Sequence, residues 1–134
     1  MRLSVVLCDA AQVADGKLYI LGGGWTHAVI TEPLSIALAV VVAVPWGDAN
    51  RRHPVSVTLR NEDNEVVELE GKPVNTEGQF EIGRPPGLKP GSDLNATMVF
   101  KFGGMLLEPG GYVWELQVGD TTEKTPFWIL GGSA

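Results

Sequence analysis

The side chains in this sequence that can do chemistry are few in kind and scattered. Cys8 beside Asp9, with His27 and His53 further along, are the types that a nucleophilic or metal site uses. Nucleophilic catalysis needs a base held in place by a third group, and no spacing among these residues imposes that arrangement. No serine sits in a Gly-x-Ser-x-Gly elbow. Zinc takes three or four ligands, and one cysteine with two histidines leaves almost no room for a structural site. Cys8 falls in an apolar run and reads as a small buried hydrophobe, while His53, behind Arg51 and Arg52, reads as loop surface.

Oxygen chemistry is no better defined. Glu62, Asp63, Glu65, Glu68 and Glu70 could offer ligands to calcium, but they lack the alternating spacing and the glycine of a dedicated loop, so they read as a solvated hairpin. A carboxylate pair for glycoside hydrolysis is defined by its separation in space, on which a sequence with sixteen acids is silent. Gly22-Gly23-Gly24-Trp25 lacks the Lys-Ser/Thr of a phosphate loop, and no helical pattern follows it. Its expected role is a bulge or tight bend at which the chain changes sheets, with Trp25 in the core. No catalytic residue, cofactor or metal is assigned, and the expectation is a protein that is not an enzyme.

Recognition is the stronger reading. Trp46, at a strand end beside a loop, is the one tryptophan placed to act as an aromatic platform, whereas Trp114 and Trp128 fall within strand patterns and read as core or interface. Arg51, Arg52 and His53 form the only basic cluster, and with Trp46 they make the candidate ligand or partner loop. The basic cluster and the acidic stretch could meet in a homo-oligomer or partner complex, where complementary charge sets register. The alternative is that both are wet loops whose surface pairs contribute little.

Strands must position these groups, because period two dominates wherever the sequence is regular. Tyr112, Trp114, Leu116 and Val118 alternate with a second face, as do Leu94, Ala96, Met98, Phe100 and Phe102, and Val55, Val57 and Leu59. Each pattern is a strand with one face in a core. Further strands are expected over residues 3–8, 17–21, 25–31, 65–70, 79–82 and 125–130. The count of eight to ten short strands is that of an all-β protein, an antiparallel β-sandwich of jelly-roll or immunoglobulin-like kind. Residues 14–17 and 118–121 read as hairpin turns, and residues 83–91, with three prolines, as a stiffened crossover between sheets.

Residues 35–44 form the most informative strand. Ile36, Leu38, Val40, Val42 and Val44 are all large, while the other face carries Ala37, Ala39, Val41 and Ala43. A two-layer sandwich needs only one apolar face, so the small face must be covered closely. The cover is either another chain, which makes Ala37, Ala39, Val41 and Ala43 interface candidates, or this chain's own 85–90 loop or C-terminal tail.

Composition sets the outer bounds. The 134 residues suffice for one domain, residues 1–134, and the excess of acids over bases, a formal charge of −6, repels nucleic acid and anionic lipid. The single cysteine fits a reducing compartment better than secretion. The opening residues carry one base and too short an apolar run for a signal peptide. Residues 36–46, the longest apolar stretch, are about half the ~20 residues that a membrane helix needs. The expected location is the cytoplasm, or a particle assembled inside the cell, and no membrane partner is expected.

Several strings carry a resemblance. Leu7-Cys8-Asp9-Ala10-Ala11-Gln12-Val13, Gly16-Lys17-Leu18-Tyr19-Ile20-Leu21-Gly22-Gly23-Gly24-Trp25, Val44-Pro45-Trp46 with Asn50-Arg51, and the 83–91 segment together resemble a family of small single-domain proteins of unknown function from actinobacteria and their phages. The resemblance covers most of the chain; it implies a compact β-domain and carries no activity or catalytic residues. Pro109-Gly110-Gly111-Tyr112-Val113-Trp114-Glu115-Leu116 also resembles a strand opening common in immunoglobulin-like sandwiches. The combined expectation is a structural or interaction module that docks on a larger protein assembly, such as a virion, or on copies of itself. A small-ligand or carbohydrate binder using Trp46 is the alternative.

Overall fold

The computed structural model describes residues 1–30 and 32–131. Eleven strands follow one another: β1 (Arg2–Ala14), β2 (Lys17–Gly23), β3 (His27–Ile30), β4 (Leu34–Val44), β5 (His53–Asn61), β6 (Glu68–Leu69), β7 (Lys72–Pro73), β8 (Asn75–Phe80), β9 (Leu94–Met105), β10 (Gly110–Val118) and β11 (Thr121–Gly131). A four-stranded sheet in the order β2-β1-β4-β9 lies over a five-stranded sheet in the order β3-β11-β10-β5-β8, and β6-β7 is a small ribbon beside them. No helix among the described residues is long and apolar enough to cross a membrane.

The period-two faces meet as their spacing requires. Ile36, Leu38, Val40, Val42 and Val44 of β4 are at most 1% exposed and share one core with Val57, Leu59, Trp114, Leu116, Val118, Phe127 and Ile129 of the opposite sheet. The sheet changes fall where the punctuation placed them. The glycines at 22–24 end β2 and lead the chain to β3, and the segment containing residues 83–91 carries it from β8 to β9, each time into the other sheet. The Asp15-Gly16 turn has positive φ at both residues, 52° and 71°, which the right-handed twist of a two-residue hairpin demands.

Three features depart from the expected pattern. One pair, β3 with β11, is parallel, with His27 beside Trp128 and Val29 beside Leu130. β3 arrives by a crossover from the other sheet, so no hairpin fixes its direction. The strand expected over residues 65–70 shrinks to Glu68–Leu69. Asn61 Oδ1 accepts the amides of Asp63 and Glu65 at 2.9 and 3.0 Å, and Glu70-Gly71 both take positive φ, so turns close in on the stretch from both ends. The third is β8, which starts four residues before the expected 79–82 run, because its Thr76, Glu77 and Gly78 are edge-strand residues with no apolar alternation to reveal them. Thr31, the end of the expected 25–31 strand, lies outside the described residues.

The order β1-β4-β9 facing β8-β5-β10-β11 is that of an immunoglobulin-like sandwich rather than a jelly roll. Tyr112 near the start of β10 donates its hydroxyl to the Glu108 carbonyl at 2.7 Å, the corner contact that such sandwiches use.

The chain's distinctive addition is the β1–β2 hairpin. β1 pairs with β4 from Arg2 to Cys8, and beyond Cys8 it pairs with β2 alone. The change comes at Asp9, opposite Gly22, whose φ is +62° and whose missing side chain is where the Asp9 carboxylate lies. A Gly22→Ala change is therefore expected to cost about 1–3 kcal/mol from backbone strain alone. The check is a urea midpoint, with the loss of protection in hydrogen exchange concentrated in residues 10–21.

Candidate functional site

Past that bend the hairpin folds back over the outer side of the four-stranded sheet. Ala11 and Leu18 on its inner side pack with Cys8, Ala37 and Ala39, with Val99 of β9 alongside. Thr97 Oγ1 of β9 donates to the Gly16 carbonyl at the hairpin tip, 3.1 Å away. This is the cover that the small face of β4 requires. Ala37 and Ala39 are 2% and 1% exposed, Ala43 is buried between Arg2 and Asn95 of the flanking strands, and Val41 is half-buried between Ser4 and Thr97. The expected cover by the 85–90 loop is thereby corrected: the hairpin lies over this face, whereas residues 83–91 run from β8 to β9 and place Arg84 against Trp46. The C-terminal tail beyond Gly131 lies outside the described residues.

Cys8 sits at the bottom of this secondary core, fully buried, with its thiol 3.4 Å from the Ala37 carbonyl. Burial, and after it the negative charge of Asp9, push the thiol pKa up. Tyr112 is pushed up in the same way by burial and by Glu108. Both groups are neutral below their ordinary values of 9.0 and 10.0, and both resist ionisation when folded. Their contribution to stability is full below those values and is lost as pH climbs through the raised ones. Thermal stability is thus expected to fall above about pH 9, and a thiol reagent should modify Cys8 only as fast as the hairpin opens; fast native-state labelling would contradict this.

The candidate loop is brought together but is not an open platform. Trp46 begins a short 3-10 turn, and the Arg84 guanidinium lies 4.8 Å from its ring centroid while donating to the Trp46 carbonyl at 2.7 and 3.2 Å. One face of the ring is thereby occupied by an arginine of this chain. His53 is hydrogen-bonded to the Asp48 carbonyl at 2.8 Å and packs beside Phe80, so it braces the loop rather than lying free on its surface. Arg51 and Arg52 are exposed, with Asp48 3.8 Å from Arg51. The acidic residues are far away, at the other end of the nine-residue β5, roughly 30 Å along the strand.

The exposed apolar surface lies mainly elsewhere. On the hairpin's outer side, Leu21 is 72% and Tyr19 52% exposed; Val13 and Ile20, which share the inner face with Ala11 and Leu18, and Val6 are also partly exposed. β2 is also an edge strand, unpaired along its outer side. A second apolar group, Trp128, Leu130 and Val29, lies on the outer face of the five-stranded sheet, so Trp128 is surface rather than core, while Trp114 is core and Trp25 packs against it. The hairpin surface had a signal in the sequence: Leu18-Tyr19-Ile20-Leu21 is large and apolar on both faces of a strand, the same double pattern that singles out β4.

The architecture thus defines an immunoglobulin-like β-sandwich carrying a folded-back hairpin with an apolar outer side. Within that class the chain belongs to a family of unknown function, DUF6941, whose sequence profile matches residues 3–129. A comparison with curated proteins finds no match.

Proposed function

We propose that this chain is a non-catalytic interaction module that docks on a protein assembly through the outer side of the β1–β2 hairpin. The observation that carries the reading is Leu21 and Tyr19, held out to solvent on an unpaired edge strand whose inner side is already spent on covering Ala37 and Ala39. Contiguous exposed apolar side chains mark interaction sites, and an open strand edge offers main-chain hydrogen bonds to an extended partner segment. The proposed setting is inside the cell, with a phage or virus particle of an actinobacterium as one instance; the buried unpaired Cys8 fits such a reducing environment. The test is a photo-cross-linking residue at Tyr19 and, as control, at exposed Lys124, in cells that make the protein. A discrete protein adduct from position 19 alone, abolished by Leu21→Glu with unchanged melting, supports the reading. Adducts from both positions, or from neither, overturn it.

A further inference from the structure

The charges of this sandwich are sorted between its two ends. Arg51 and Arg52 project from the β4–β5 loop, with Arg2, Arg84 and Lys89 on neighbouring segments, interspersed with Asp48, Glu81, Asp93 and Asp120. At the far end of β5 the balance is different: Glu62, Asp63, Glu65, Glu68, Glu70 and Glu108 face Lys72 and Arg60, and Arg60 is already paired with Glu115 and bonded to the Asn64 carbonyl. Among the described residues none of those six carboxylates forms an ion pair, and neither does Arg52.

The acidic end is also concave, with a mainly polar lining that includes some open apolar surface. A hollow of about 560 Å³ lies between residues 65–69 and Leu106-Leu107-Glu108, with Tyr112 at its wall. Leu106 is 65% exposed and Val66 37%, so the hollow has open apolar surface, and Glu65, Glu68 and Glu108 stand around it. The arginine stem is apolar and its head is a five-donor fork, which is the chemistry this combination takes. At the opposite end the arginine loop is already held by the Arg84–Trp46 and His53–Asp48 contacts, so little order is lost when it docks.

We propose that the chain associates head to tail with further copies of itself, the Arg51-Arg52 loop of one copy seated between Val66 and Leu106 of the next. The two surfaces lie at opposite ends of each molecule, so the contact is heterologous. Every added copy leaves one loop and one hollow free, and growth continues into a chain or a closed ring rather than stopping at two. This contact is separate from the hairpin surface, and Leu21→Glu leaves it intact.

The test is native mass by light scattering over a concentration series, at low and at high salt. The wild type is expected to grow past the dimer at low salt and to shrink towards monomer at high salt. Arg51→Ala/Arg52→Ala and Glu65→Gln/Glu68→Gln/Glu108→Gln, each alone, should raise the association midpoint at least tenfold, with circular dichroism confirming that both stay folded. Mixed one to one, they should form a capped pair and nothing larger, because one variant supplies the intact hollow and the other the intact loop. A wild type that stays monomeric, a mass that saturates at two, variants that associate like the wild type, or a mixture that remains monomeric would each overturn the proposal.

Discussion

Replacing Ala39 by glutamate is expected to destabilise the isolated chain by about 3–5 kcal/mol, a large part of the total for a domain of this size. Ala39 is 1% exposed beneath Ala11 and Leu18, with no basic side chain in that cluster to meet a carboxylate. The new group can avoid a buried charge only by staying protonated, so its pKa in the folded state rises. The penalty is then smallest below the ordinary carboxylate range and grows as pH rises towards neutrality. Urea midpoints of variant and wild type between pH 4 and 8 check both the size and the sign. A midpoint unchanged at pH 7, with only the native mass altered, would mean that Ala39 faces another chain and that the hairpin does not cover it in solution.

How legible this arrangement is in the sequence depends on the residue. β5, β9 and β10 are written in their alternation because each has one wet face and one dry face, so the period survives in the residue types. The Gly22-Gly23-Gly24 bend is legible for a different reason. Positive φ at Gly22 and Gly24 is a backbone requirement that glycine meets without strain, so the residue type records the geometry. The small face of β4 announces that it is covered, since four positions of alanine and valine leave room for a close neighbour. It does not announce by what. The cover is set by a local rotation of β1 between Cys8 and Ala10, which leaves the alternation on either side unbroken.

The loop at Trp46 illustrates the opposite limit. An aromatic side chain at a strand end has the same appearance whether its face is bare or occupied, and the occupant here, Arg84, is 38 residues away in the crossover. Long-range partners of this kind leave no spacing to read. The charge sorting is intermediate: the basic and acidic clusters are visible in the sequence, but that they stand at opposite ends follows only from β5 running uninterrupted between them. Once the strand is placed, the two clusters cannot meet within one molecule, and any pairing between them must be between molecules.

Trp114→Ala is the other large effect, expected to cost about 3–5 kcal/mol. The indole is 1% exposed at the centre of the sandwich, 4.5 Å from the Phe102 ring of the opposite sheet and 6.3 Å from Phe127 of its own, centroid to centroid. Its Nε1 has no hydrogen-bond partner in the structure, so the residue acts through volume and ring contact rather than through its donor. Trp114→Phe should accordingly cost much less, under about 2 kcal/mol, since it removes an unpaired polar group along with part of the ring. A Phe variant as damaging as the Ala variant would show that the N–H has a partner in solution. A double-mutant cycle with Phe102→Ala separates packing from coupling. If the Trp114–Phe102 contact ties the sheets together, the two losses fall short of additivity by about 0.5–1.5 kcal/mol. Full additivity would mean that each ring is held by its own sheet, and that the sandwich is joined by the aliphatic side chains of the shared core.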